Sequence, residues 1–165
     1  MSFPKDELDS LWAPWRFEYF TTPKTPDFLI EAAQATDDAP HLVVKRGKSA
    51  FLIMNRYPYS VGHLMAVPYR KVGDISDLNE AEQLELFALA IEAQRLLREV
   101  VKAQGFNIGF NLGTCAGAGV ADHLHLHIVP RWEGDSNFMP VLAGVRVQPQ
   151  PLENLYAKLR AAVEA

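Results

Sequence analysis

The chain is 165 residues long and 48% hydrophobic, with a single cysteine and a formal net charge of −4 at pH 7. That length and apolar content suit one domain with a sizeable core, and the lone Cys115 excludes both an intramolecular disulfide framework and a C-x-x-C metal or redox pair. The acidic balance argues against a broad basic surface for nucleic acid but leaves room for a local anion pocket, so small phosphorylated ligands remain open as partners.

Between Met1 and Phe20, six charged residues (Lys5, Asp6, Glu7, Asp9, Arg16 and Glu18) interrupt any apolar run. No leader or spanning helix is expected there, so no membrane partner is expected and the location reads as cytoplasmic. Trp12, Trp15, Phe17, Tyr19 and Phe20 precede a Thr-Thr-Pro-Lys-Thr-Pro stretch that can continue neither a helix nor a central strand. Residues 1–26 therefore read as an aromatic arm that packs on the domain or on a second subunit, and residues 27–165 as one domain. A short helix and polar loop are expected over Asp27–Ala39. His41–Lys45 and Ala50–Asn55 then read as a hairpin around Arg46-Gly47-Lys48, with Lys45, Arg46 and Lys48 as solvated charges. Pro58–Gly62 is a turn. His63–Tyr69 alternates as a third strand, ended near Pro68.

The spacing predicts a long helix over Glu80–Gln104, with Leu84, Phe87, Ile91, Leu97 and Val101 as one apolar stripe. Asn79 and Glu82 suit a capping box, and Gly105 a left-handed stop. Phe106–Leu112 and His123–Val129 read as two further strands joined by the small-residue loop Gly113–Asp122, and Pro151–Ala162 as a final helix. The expected fold is α+β: an antiparallel sheet of about five strands, with the long helix and the C-terminal helix packed on one side.

The chemistry concentrates in His123-Leu124-His125-Leu126-His127-Ile128, which alternates without a fault. A strand puts the three imidazoles on one face, successive ones roughly 6–7 Å apart, and the aliphatic side chains on the other. Three of the five histidines at period two have no evident packing reason. Three readings stay open on spacing alone. The histidines could hold zinc in a hydrolase, one imidazole could attack phosphorus and form a covalent intermediate, or the group could bind a nucleotide without turning it over. The last is disfavoured because lysine or arginine would serve a pure anion binder better.

Together with Gly62-His63-Leu64-Met65-Ala66-Val67-Pro68, Asn55, Asn111 and the loop Ala116-Gly117-Ala118-Gly119-Val120, this pattern resembles the histidine triad (HIT) family over about residues 41–138. The run from Pro130 through Arg131 and Trp132 to Phe138 is similar to the branch of diadenosine tetraphosphate phosphorylases and hydrolases. The resemblance implies a HIT-like fold, usually a homodimer, cleaving dinucleoside polyphosphates at the α-phosphate. It makes His125 the residue that becomes nucleotidylated, flanked by His123 and His127, with His63 bonding into the triad. It also implies Asn55 at the ribose and Asn111 at the α-phosphate. A protonated neighbour of His125 would stabilise charge on the phosphoryl oxygens. Backbone at Gly117 and Gly119 could approach phosphate, Phe51 and Ile53 could equally wall a base or pack in the core, and Arg131 could fork onto a distal phosphate or onto Asp135.

Family members commonly carry Gln-Ser or Gln-Thr before the histidine strand; here Ala118 and Gly119 stand there, with one extra residue before His123. The missing hydroxyl suits a polyphosphate leaving group, which needs less proton assistance. Relatives that bind structural zinc do so through a C-x-x-C where this chain has Asp27-Phe28-Leu29-Ile30, so no zinc is expected at that position. No dissociable cofactor is expected, with magnesium a candidate to accompany the substrate.

Overall fold

A computed structural model describes residues 28–135 and 150–164. The aromatic arm of residues 1–26, and residues 136–138 of the run similar to the tetraphosphate-cleaving branch, lie outside the described residues. Within them, α1 (Phe28–Gln34), β1 (Val43–Arg46), β2 (Ala50–Met54), β3 (Leu64–Pro68), α2 (Glu80–Val100), β4 (Gly105–Gly109), β5 (Leu126–Arg131) and α3 (Leu152–Glu164) follow in order. The five strands form one sheet in the order β1-β2-β3-β5-β4, every pair antiparallel. No helix among the described residues is long and apolar enough to cross a membrane.

Strand alternation divides the sheet into two different faces. Val44, Leu52, Met54, Leu64, Ala66, Leu126 and Ile128 point to α2 and α3, where Leu86, Ala90, Ala93, Leu97, Leu155 and Leu159 complete the larger core. Val43, Phe51, Ile53, Met65 and Val67 point the other way and are covered by Leu29 and Ala32 of α1. The long helix α2 and the C-terminal helix α3 thus share one side of the sheet, as expected, and the short helix α1 covers the other. Met65 pairs with His127 across β3 and β5, which puts the histidines on the α1 side.

The stripe read in the long helix splits: Leu84, Phe87 and Ile91 turn outward, whereas Leu97 is buried. Leu84, Phe87 and Ile91 are 66%, 59% and 68% exposed, while the buried face carries Leu86, Leu89, Ala90, Ala93, Leu96 and Leu97. The helix has apolar residues on two opposite faces, and the alanines of one let it lie close on the sheet. Its capping box at Asn79 and Glu82 forms as expected, with Glu82 also held by Arg70 at 2.8 Å. The left-handed stop is not Gly105 but Lys102, at φ 55°, and Gly105 opens β4.

Two strand starts also move. Leu42 adopts φ 59°, which turns the chain just before β1. β5 begins at Leu126 because the Leu124 amide donates to the Val72 carbonyl instead of to the strand ladder. Arg46 is not a solvated charge: it reaches the last carbonyls of α1, bonding Ala32, Ala33 and Ala35, and pairs with Asp38 at 2.8 Å. Lys45 pairs with Glu92 at 2.6 Å, leaving Lys48 as the exposed charge expected.

Candidate active site

β3 and β5 meet where His63, His123, His125 and His127 lie, and all four are buried. His63 enters through Gly62, whose φ of +80° and 2.8 Å approach of a would-be Cβ to Leu97 require glycine there. Every imidazole has a nitrogen committed within the protein, and those bonds determine the tautomers. The backbone N–H of Tyr59 donates to His63 Nδ1 at 3.1 Å. A neutral His63 therefore carries its proton on Nε2, which stands 2.9 Å from His127 Nδ1. His127 accepts there and keeps its own proton on Nε2. His125 Nδ1 donates to the His123 carbonyl at 2.9 Å, leaving His125 Nε2 as an unprotonated lone pair. His123 Nε2 donates to the Pro68 carbonyl at 2.9 Å, tying the histidine segment to the end of β3.

The electrostatics keep the rings of His123, His125 and His127 neutral. Burial pushes His127 down from the usual histidine value to about 4, with His125 adding repulsion. Burial is also the largest influence on His125 and His123, lowering both. At neutral pH the neighbour of His125 is thus an N–H dipole, not the protonated imidazole expected from the sequence. Low solvation of the site disfavours a second charge beside the nucleophile.

The other expected residues divide. The side-chain amide of Asn111 stands 3.4 Å from His127 Nε2 and 3.4 Å from the Tyr59 hydroxyl, at the rim of the triad; with the proton on Nε2, it is the amide oxygen that faces the ring and accepts. Asn55 lies against His63, its amide 3.3 Å from Nδ1, while its oxygen accepts from the Tyr57 N–H at 2.9 Å. Phe51 and Ile53 do not wall an open slot: they are packed under α1, with the Phe51 ring stacked on Tyr69 at 5.3 Å. The amides of Ala116, Gly117 and Ala118 turn inward to the Gly113 and Thr114 carbonyls, so the Gly117 N–H closes a 3-10 turn and does not present itself to phosphate. Around Gly119, nothing stands within 4 Å of a would-be Cβ. Arg131 spends its fork on Asp135, at 2.6 and 2.7 Å, and on Asn107 at 2.8 Å, the surface pairing rather than the distal phosphate.

Tyr59 was missed from the sequence. Its ring lies 4.6 Å from that of His63 and 5.6 Å from that of His127. The available signal was an aromatic residue in a tight turn four positions before His63, masked by the turn-forming character of Pro58 and Gly62. Among the described residues, no group of three or more His, Cys, Asp or Glu side chains is arranged to hold a metal ion.

Comparison with known proteins agrees with the geometry. The profile described as the HIT domain matches residues 36–134. The chain is 42% identical over 159 residues to a Mycobacterium tuberculosis protein named AP-4-A phosphorylase, covering 91% of this chain and 82% of that one. It is 34% identical over 93 residues to the bis(5'-nucleosyl)-tetraphosphatase [asymmetrical] of Schizosaccharomyces pombe, covering 56% of this chain and 50% of that protein. Among solved structures, a zinc-bound histidine triad family protein from Mycobacterium smegmatis superposes with a TM-score of 0.64 at 26% identity, over 82% of this chain and 89% of that one. With four buried histidines gathered at one site and a matching profile across the sheet, the chain belongs to the HIT domain family.

Proposed function

We propose that this HIT-family enzyme cleaves dinucleoside polyphosphates, diadenosine tetraphosphate among them, through a nucleotidyl-histidine intermediate. The observation that carries the reading is the tautomer of His125: its Nδ1–H is held by the His123 carbonyl, so Nε2 faces the site as a lone pair at neutral pH. His125 Nε2 attacks the α-phosphorus, and the bond from that phosphorus to the bridging oxygen breaks, expelling the remaining nucleotide. An acceptor then displaces the nucleotidyl group from the imidazole. Inorganic phosphate is the proposed acceptor, giving a nucleoside diphosphate, and the 42% identity to a protein named AP-4-A phosphorylase supports that choice over water.

His127 donates a hydrogen bond from its Nε2–H to an oxygen of the transferring group, His63 holds it in that tautomer, and His123 anchors the segment. Asn111 at the rim is assigned to the α-phosphate and Asn55 beside His63 to the ribose. Gly119 lets the loop backbone approach the phosphates. The internally bonded ring nitrogens favour this covalent route over zinc hydrolysis by the same histidines. Magnesium is assigned to the substrate, where it neutralises the polyphosphate. The proposal includes a cytoplasmic homodimer, supported by the lone cysteine and by the uncovered stripe of Leu84, Phe87 and Ile91.

Brief exposure to diadenosine tetraphosphate at mildly basic pH, followed by intact-protein mass measurement, tests the intermediate. The parent should gain one nucleotidyl group and His125→Ala none, with the variant's turnover at least about a thousandfold lower. Turnover that needs phosphate identifies the phosphorylase. Turnover without an adduct that stops with chelator would transfer the mechanism to a metal.

A further inference from the structure

Tyr59 is 43% exposed, so burial alone does not explain its placement. Its contacts are with the catalytic array. The backbone amide bonds His63 Nδ1, the ring lies at 30° to the His127 plane and tilted 38° to His63, and the hydroxyl stands 3.4 Å from the Asn111 amide. The rings run in sequence from His125 to His127, centroids 4.8 Å apart, then to His63 at 5.0 Å. Tyr59 covers the His63–His127 pair at the solvent side. A hydrogen bond between two neutral imidazoles is weak in water and strengthens when solvent is kept away.

We propose that Tyr59 is a positioning residue: its ring shields the His63–His127 hydrogen bond and so locks His127 as the Nε2–H donor of the reaction. The proposal deepens the reading of His127 as a hydrogen-bond donor and rests on it. The ring, not the hydroxyl, carries the effect. Removing the ring lets water compete for His127 Nδ1 and solvates the protonated form, so both tautomer and titration move. The groups facing His127 are His63 just before β3, His125 from its own segment, and Tyr59 and Asn111 from the two loops at the rim.

The test is ¹⁵N imidazole NMR across a pH titration of the parent, Tyr59→Phe and Tyr59→Leu, alongside kinetics on diadenosine tetraphosphate and on an aryl ester of AMP. In the parent and Tyr59→Phe, His127 should report one tautomer, protonated at Nε2. In Tyr59→Leu its pKa should rise by about one unit or more, with mixed tautomers. For that variant kcat should fall about tenfold on the dinucleotide and by a similar factor on the aryl ester, because the Nε2–H bonds an oxygen of the transferring group, which the two substrates share. Unchanged His127 shifts in Tyr59→Leu would overturn the proposal, as would an equal effect in Tyr59→Phe. The NMR result does not depend on turnover, so an inactive parent sinks the functional reading while the shifts still judge Tyr59. Should Tyr59→Leu fail to fold, Tyr59→Met is read by the same criteria.

Discussion

His127 links the chemistry to the stability of the fold. Its value of about 4 lies below the 6.5 of an unperturbed histidine, so between those values the unfolded chain binds a proton that the folded one refuses. The sign follows: the stabilisation is complete above pH 6.5 and is lost as pH falls toward 4, by about 3 kcal/mol in the limit. His123 and His125, lowered by the same burial, add in the same direction. Urea midpoints at pH 7.5 and 4.5 check this, and His127→Gln should lose less between the two than the parent. Equal losses would remove His127 from the account. At this scale the triad was legible because imidazoles at period two are conspicuous against Leu124, Leu126 and Ile128. Their protonation was not, because desolvation depends on what α1 and the loops cover.

Among the elements, the link between α2 and the β1–β2 hairpin rests on one carboxylate. Glu85 accepts from the backbone amides of Lys48, Ser49 and Ala50, and from the Ser49 hydroxyl. Those bonds outweigh its desolvation and lower its pKa. Glu85→Ala leaves turn amides to water and should cost about 1–3 kcal/mol, read from denaturant unfolding. Gly47 belongs to the same unit, since a Cβ there would stand 2.3 Å from Glu85 Oε1 and 2.9 Å from the Ala50 carbonyl. Gly47→Ala should therefore cost less in the Glu85→Ala background than in the parent; strict additivity would separate the two. The strands and helices themselves were legible from alternation and caps. Their ends were not, because Leu42, Lys102 and Leu124 turn or bond according to neighbours distant in sequence.

For the whole molecule, the outward stripe of α2 is the feature that a single copy leaves unexplained. Leu84, Phe87 and Ile91 lie opposite the face packed on the sheet, and Ile108, on the sheet-edge strand β4, is 40% exposed. If a second copy covers the stripe, Ile91→Glu should yield monomers by light scattering at micromolar concentration, with the parent dimeric. A variant that stays dimeric would place the interface elsewhere. The α+β class, the antiparallel sheet and the histidine array follow from local patterns: period two for strands, caps and 3.6-residue spacing for helices. The outward turn of the long helix's stripe, the burial of Phe51 and Ile53 beneath α1, the diversion of Arg131 to Asp135 and the guard position of Tyr59 came only with the tertiary structure. Each is a choice between partners of similar chemistry, and that choice is made by which surfaces the folded sheet brings within contact distance.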